Sequence, residues 1–243
     1  MTMNIKKHIP NAITLGNLAC GCIAVLFASQ CEFNYAAIMI ILASVFDFFD
    51  GFAARMLHTK SDIGKELDSL CDMVSFGFAP AFIMYYFLSH STLLTDIPLY
   101  EIYNINILPA VCSIIYCCCV AIRLAKFNLD TRQTEQFLGL PSPAAAFVLI
   151  SIPFWGRSLS NQTLCIISIG IIVLLCIAML CEYPLLSLKF HDFTIKNNIL
   201  RYILLIIGLI LVILLNFISI PIIIFIYIIL SIIGNTINKH KTN

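Results

Sequence analysis

The sequence predicts an all-α, polytopic integral membrane protein, and three observations carry that prediction. Of its 243 residues, 60% are hydrophobic and only 11% charged, under half of the roughly 25% charge of an average soluble domain. The apolar residues come in long runs of Leu, Ile and Val, as from Ile203 to Leu215, without the period-two alternation of a transmembrane barrel. The Lys and Arg residues fall in alternate connections between these runs, which is the pattern that orients membrane helices. Helices are the natural solution because each satisfies its own backbone polar groups inside hydrocarbon.

About eight spans are expected, at roughly 12–30, 35–55, 68–88, 107–126, 142–156, 162–181, 199–217 and 219–234. The first follows Lys6 and Lys7 like a signal peptide, but the remainder is equally apolar, so it reads as a retained helix. The second and third flank an acidic stretch, and the fourth ends at Arg123 and Lys126. The fifth is entered through Gly139-Leu140-Pro141-Ser142-Pro143, where proline suits a helix start. The fifth and eighth are short against the roughly 20 residues a span needs, and they contain Pro153 and Pro221. With the N-terminus inside, thirteen of the fourteen Lys and Arg residues lie in inside segments. Only Arg157 lies outside, and the outer loop around Asp96 and Glu101 has no cation. An even number of spans with both termini cytoplasmic follows, in one membrane domain covering 1–243.

Several functions are disfavoured. A net charge of +1, with no basic tract beyond pairs such as Lys6-Lys7, gives no reason to expect a nucleic-acid partner. The eleven cysteines lie mostly in apolar runs and read as small packing residues, Cys20-Gly21-Cys22 included. No pair of CxxC knuckles is present, so neither structural zinc nor a disulfide framework is supported. His58, His90, His191 and His240 read as solvated, and His8 as part of the N-terminal anchor.

The informative stretch is residues 47–72, DFFDGFAARMLHTKSDIGKELDSLCD. Asp47 and Asp50 are i, i+3 on one helix, and Asp68 and Asp72 are i, i+4 on the next, so each pair shares a helical face. A short turn around Arg55 to Lys65 makes the two helices antiparallel neighbours, so the faces can meet. An ionised Asp in a span costs about 2.5–3.5 kcal/mol on insertion scales, before mutual repulsion. Divalent cations compensate such a cluster, and hard oxygen ligands select Mg²⁺, Mn²⁺ or Ca²⁺ over zinc. Gly51 and Ala54 leave room for phosphates beside Asp50, Gly64 relaxes the turn before Asp68, and Arg55 offers positive charge toward a phosphate.

These residues fit D-x2-D-G-x2-A-R-x8-G-x3-D-x3-D at every fixed position, a pattern that resembles the signature of the CDP-alcohol phosphotransferase family. The resemblance implies a six-helix core, usually dimeric, with a cytoplasm-facing polar cavity. It implies two divalent cations, Mg²⁺ or Mn²⁺, held by Asp47, Asp50, Asp68 and Asp72. It further implies Asp72 as general base for an acceptor hydroxyl, with CMP as leaving group. The catalytic core would be about 10–182, with accessory helices at about 199–234. PNAITLGNLACG (Pro10 to Gly21), MVSFGFAPA after Asp72, RLAKFN at 123–128 and FLGLPSPAAA at 137–146 resemble the bacterial phosphatidylserine synthase branch of that family. That branch implies CDP-diacylglycerol and L-serine as substrates, in the cytoplasmic membrane among its lipids, by a homodimer. Where RLARFN is expected, Lys126 keeps the charge but loses the planar fork.

Serine carries a carboxylate and an ammonium, so Arg123, Lys126 and Asn128 are candidates for the acceptor pocket; Lys126 reads equally as a positive-inside anchor, whereas Arg123 favours the pocket. Thr14 and Asn17, i and i+3 on the first helix, would face the cavity beside the nucleotide, or else cap or cross-link helices. Two other functions fit part of the pattern. One is the same transfer to glycerol 3-phosphate, inositol phosphate or choline. The other is divalent-cation transport, against which stand the aspartates' place at helix ends and the lack of an internal repeat.

Overall fold

The computed structural model describes residues 8–59, 61–89, 107–130, 137–155, 161–185 and 195–242. Lys6, Lys7, Lys60, His90, Asp96, Glu101, Arg132, Arg157, Lys189 and His191 lie outside the described residues, as do the side chains of Lys196, Lys239, His240 and Lys241.

Helices α1 (His8–Ser29) and α2 (Phe33–Met56) form a close hairpin. Their contact is built from small residues: Cys20, Ala24 and Ala28 on α1, and Ala36, Ala37, Ile40 and Ala43 on α2, all buried. Lipid tails are as apolar as these side chains, so close van der Waals approach, which small residues allow, drives the pairing. The tight turn between them places Cys31 at φ 59.

A single helical rod of 28 residues, Asp62–Ser89, comes next. It consists of α3 (Asp62–Asp72), a π-helical stretch Met73–Phe78 and α4 (Ala79–Ser89). Sequence reading started this span near residue 68. The helix begins six residues earlier because Ser61 is its N-cap, with Oγ accepting the Gly64 N–H at 3.1 Å. Gly64 is therefore in the first turn of α3 rather than in the loop before it. The π-helical stretch starts directly after Asp72, and such wide turns favour functional sites. Neighbours hold it: the Tyr116 hydroxyl donates to the Phe76 carbonyl at 2.9 Å, and the Ser75 hydroxyl to the Asn17 carbonyl at 3.0 Å.

Helix α5 (Ile107–Leu129) carries the fully buried Tyr116 and Val120 into the main core. Beyond it lies the one departure from an all-helical chain among the described residues. Strand β1 (Phe137–Leu138) pairs antiparallel with β2 (Pro184–Leu185), in the register Phe137 to Leu185 and Leu138 to Pro184. Gly139 follows at φ 72, where a Cβ would stand 2.6 Å from the Cys181 carbonyl oxygen, so only glycine fits. Helix α6 (Ser142–Ser151) with its 3-10 extension Ile152–Trp155 forms a shorter apolar element, and α7 (Asn161–Leu180) packs on α5.

The chain ends in α8 (Ile195–Leu215), a 3-10 turn Asn216–Ile218 and α9 (Ser219–Thr242). By length and composition, six helices can cross a membrane, the last being the 37-residue stretch Ile199–Asn235. A straight helix that long would measure about 55 Å, nearly twice a hydrocarbon core of about 30 Å. Instead the chain turns at Asn216, φ 50, and α9 packs back along α8. There the open side of Gly208 faces Ile223, 3.8 Å from where a Cβ would stand. Large apolar side chains such as Leu26, Phe48, Leu174 and Ile213 point outward, as hydrocarbon solvation requires. The eleven cysteines are all free thiols.

Candidate active site

Asp47 and Asp50 lie on one face in the last three turns of α2, and Asp68 and Asp72 on one face of α3. The antiparallel approach of the two helices brings carboxylate oxygens of Asp47, Asp50 and Asp68 within 4.8 Å of one another. Asp50 is buried, with Oδ2 lacking any hydrogen-bond partner, and Oδ1 of Asp68 is likewise buried and unpartnered. Unsatisfied carboxylate oxygens crowded against further carboxylates are costly unless something positive occupies the gap. An all-oxygen donor set of this kind fits a hard divalent cation. Asp72 is adjacent to this trio but is held separately: the Asn17 side-chain amide donates to its Oδ1 at 3.0 Å.

A cavity of about 460 Å³ opens beside the carboxylates. Pro10, Asn11 and Thr14 of α1, Asp50, Gly51, Ala54 and Thr59 from α2 and its end, and Ser61, Asp62, Gly64, Lys65 and Asp68 of α3 and its cap line it. Thr14, Gly51, Ala54 and Gly64 thus meet the aspartates in one space. A Cβ on Gly51 would meet nothing nearer than Arg55 Nη1 at 3.8 Å, so that glycine serves the open space and not helix packing. Arg55 is exposed beside Gly51 rather than among the lining residues. The Thr14 hydroxyl donates to the Pro10 carbonyl at 3.0 Å and also lies against the Asp50 carboxylate. Asn17 is fully buried and does not line the space.

The candidates on α5 separate. Arg123 is buried; its Nε donates to the Leu140 carbonyl at 2.6 Å and its Nη1 to Ser142 Oγ at 3.3 Å, and its guanidinium lies 5.9 Å from the Phe127 ring centre. It therefore pins the Gly139-to-Pro143 segment, and it also interacts electrostatically with Asp72. Arg123 and Lys126 share a second cavity, about 270 Å³, whose lining includes Asp130, Cys181 and Glu182. Asn128 is turned away from it: Nδ2 donates to Ser69 Oγ at 2.8 Å, and its carbonyl accepts from Lys65 Nζ at 2.7 Å. It ties α5 to α3.

Sequence reasoning did not single out Asn11, Thr59, Ser61, Asp130 or Glu182. Asn11 is i−3 from Thr14, so the face that proposed Thr14 also implies Asn11. Glu182 reaches its cavity only because the β1–β2 pair folds the end of α7 against α5, and no local pattern signals that.

An all-helical, multi-pass membrane architecture with three clustered carboxylates near helix ends defines a class: multi-pass membrane proteins with an acidic site that fits a hard divalent cation. Residues 7–214 match the CDP-alcohol phosphatidyltransferase family, and the chain belongs to it. Among similar proteins, a CDP-diacylglycerol--serine O-phosphatidyltransferase of Bacillus subtilis is 37% identical over 148 residues, 61% of this chain and 76% of that protein. Proteins of the same name from Methanocaldococcus jannaschii and Helicobacter pylori strain J99 are 34% and 32% identical, over 68% and 62% of this chain. The match takes in 70% of the Methanocaldococcus protein and 59% of the Helicobacter one.

Proposed function

We propose that this chain transfers the phosphatidyl group of CDP-diacylglycerol to L-serine, giving phosphatidylserine and CMP. The observation that carries the chemistry is the cluster of Asp47, Asp50 and Asp68, two of which, Asp50 and Asp68, line a cavity between the ends of α1, α2 and α3, with Asp72 held apart beside it. The residues fit two divalent cations, Mg²⁺ or Mn²⁺, held by Asp47, Asp50 and Asp68 with Asp72 completing the set. When bound, these supply the positive charge that offsets the diphosphate and the departing phosphate oxygen.

The rest belongs to the chain. Gly51, Ala54 and Gly64 leave space for the nucleotide diphosphate, Thr14 brings a hydroxyl to the lining, and Arg55 offers positive charge from its exposed place beside Gly51. Asp72 accepts the proton of the acceptor hydroxyl as its oxygen attacks the lipid-bearing phosphorus. One P–O bond forms to serine, the anhydride P–O bond breaks, and CMP leaves. The second cavity supports serine as acceptor. It carries cations, Arg123 and Lys126, and carboxylates, Asp130 and Glu182, the mixed charge that suits a zwitterionic amino acid. A phosphorylated acceptor such as glycerol 3-phosphate would meet those carboxylates unfavourably. The names of the relatives point the same way. In this reading Asn128 supports the pocket through α3 instead of touching serine.

The protein would work as a homodimer in the cytoplasmic membrane, with both termini and the site on the cytoplasmic side. Residues 10–182 would form the catalytic core and 199–234 an accessory hairpin. An acceptor screen tests the reading: purified protein, CDP-diacylglycerol and Mg²⁺ or Mn²⁺, with CMP followed. Serine-dependent, chelator-sensitive release is expected. Release only with another alcohol would discard serine, and ion flux without CMP release would replace the transferase by a transporter.

A further inference from the structure

We infer that Asn17 is a positioning residue for Asp72: its amide holds one carboxylate oxygen so that the other is turned to the acceptor hydroxyl. This rests on the reading of Asp72 as the proton acceptor. The sequence suggested that Asn17 faces the nucleotide, but its surroundings are different. It is 0% exposed and one turn deeper than Thr14, which does line the cavity. Its Nδ2 donates to Asp72 Oδ1 at 3.0 Å, across 55 residues of sequence. Its own Oδ1 is buried with no partner. An amide that leaves its acceptor end unsatisfied is kept for its donor end, because packing alone is better served by an apolar side chain. The orientation is also forced, since the flipped amide would set oxygen against carboxylate. Oδ1 is thereby engaged, and Asp72 as a whole stays buried, with 9% exposure.

The backbone of Asn17 is fixed as firmly as its side chain. Ser75, fully buried in the π-helical stretch, donates from Oγ to the Asn17 carbonyl at 3.0 Å. That approach exists because Gly21 has no Cβ; one would stand 2.6 Å from Ser75 Oγ and 2.9 Å from its Cα. Asp72 and Ser75 flank the point where α3 widens into the π-helical stretch. Asn17 and Gly21 are one turn apart on α1. Two contacts, Asn17 to Asp72 and Ser75 to Asn17, therefore lock α1 to the segment that carries the base, and fix the carboxylate's rotation as well as its place.

The test compares full-length wild type with Asn17→Ala and Ser75→Ala in detergent or nanodiscs, by steady-state CMP release and by equilibrium binding of CMP. For Asn17→Ala, kcat is expected to fall about 10–100-fold, part of what a positioned base contributes. Its KM for CDP-diacylglycerol should stay within about twofold, since no ground-state binding is lost, and CMP affinity should be unchanged. Ser75→Ala should show a smaller loss of the same kind, in kcat alone. Raised KM with weakened CMP binding would make Asn17 a nucleotide ligand and overturn the inference, as would an unchanged kcat. If Asn17→Ala fails to fold, Ser75→Ala decides, and a normal kcat there overturns it. A wild type that releases no CMP with any alcohol would sink the transferase reading and this inference together; a loss confined to the variants bears on Asn17 alone.

Discussion

At the scale of single residues, the acidic site was legible because helix periodicity is a strict rule. Spacings of three and four put Asp47 with Asp50 and Asp68 with Asp72, and the packing of both α2 and α3 on α1 brought three of them within 4.8 Å. Periodicity does not give depth, so nothing in the spacing showed that Asp72 would have its own partner in Asn17 while Asp50 and Asp68 keep unpartnered oxygens. That difference makes a prediction for Asp50→Asn. Without metal, a neutral amide relieves repulsion inside the trio, so the melting temperature of the metal-free variant should equal or exceed wild type. The rise in melting temperature on adding Mn²⁺ should shrink, because ligand-linked stabilisation scales with affinity. CMP release should fall by more than about 100-fold, beyond the 10–100-fold typical of outer-shell partners. A folded variant with near-normal turnover would remove Asp50 from the site. Arg123 teaches a related lesson, since charge was read from the sequence but geometry was not. Its Nε and Nη1 serve Leu140 and Ser142 at once, and a lysine has one point charge for both. Arg123→Lys should therefore lower stability by about 1–3 kcal/mol, the usual result of leaving a buried polar group unsatisfied. Thermal unfolding in detergent measures it, and an unchanged midpoint would show the fork to be dispensable.

At the scale of elements, hydropathy found the long helices and misjudged what happens at their ends. The chain from Asp62 to Lys65 is polar, so it looked like loop; Ser61 caps it and it is helix. The π-helical stretch Met73–Phe78 has no local signature, since it depends on the Tyr116 hydroxyl of α5 donating to its Phe76 carbonyl and on its own Ser75 donating to the Asn17 carbonyl of α1. The β1–β2 pair was equally unreadable at two residues per strand. Yet it has the sharpest steric requirement among the described residues. Gly139 sits at φ 72, with its N–H donating to the Tyr183 carbonyl at 3.0 Å and carbonyls of Cys181 and Met179 at 2.6 and 2.7 Å from a Cβ position. Alanine there adds a left-handed penalty of about 1–2 kcal/mol to a clash with backbone that cannot rotate away. Gly139→Ala is expected to cut the folded yield in the membrane and lower the melting temperature. Because the clash separates the end of α7 from the segment held by Arg123, residual protein should lose serine affinity before it loses CMP binding. Equal loss of both would mean that the two cavities do not act separately.

At the scale of the whole molecule, the side that each helix end faces decides how a soluble acceptor reaches the site. In the orientation proposed above, the turn between α1 and α2 faces outside and the end of α7 inside, and a thiol stands at each. Cys31 is exposed in the turn at φ 59, and Cys181 is exposed one residue beyond α7, beside Glu182 in the smaller cavity. Cys22 and Cys118 are exposed as well. Both lie within spans, which a membrane-impermeant reagent does not enter. The other cysteines are buried or half-buried. The native chain thus carries its own topology probes and needs no substitutions that would disturb packing. In sealed right-side-out vesicles, a membrane-impermeant maleimide should modify Cys31 and spare Cys181, as read by peptide mass spectrometry. Opening the vesicles should add Cys181 while Cys22 and Cys118 stay slow. This pattern would put the carboxylate cavity on the cytoplasmic side, because Asp50 and Asp68 lie at the ends of α2 and α3 remote from Cys31. The reverse pattern would invert the protein and with it the proposed access of serine. Modification of both thiols from one side would mean that the number of spans between them is even, and it would overturn the assignment of the short helix Ser142–Trp155 as a crossing.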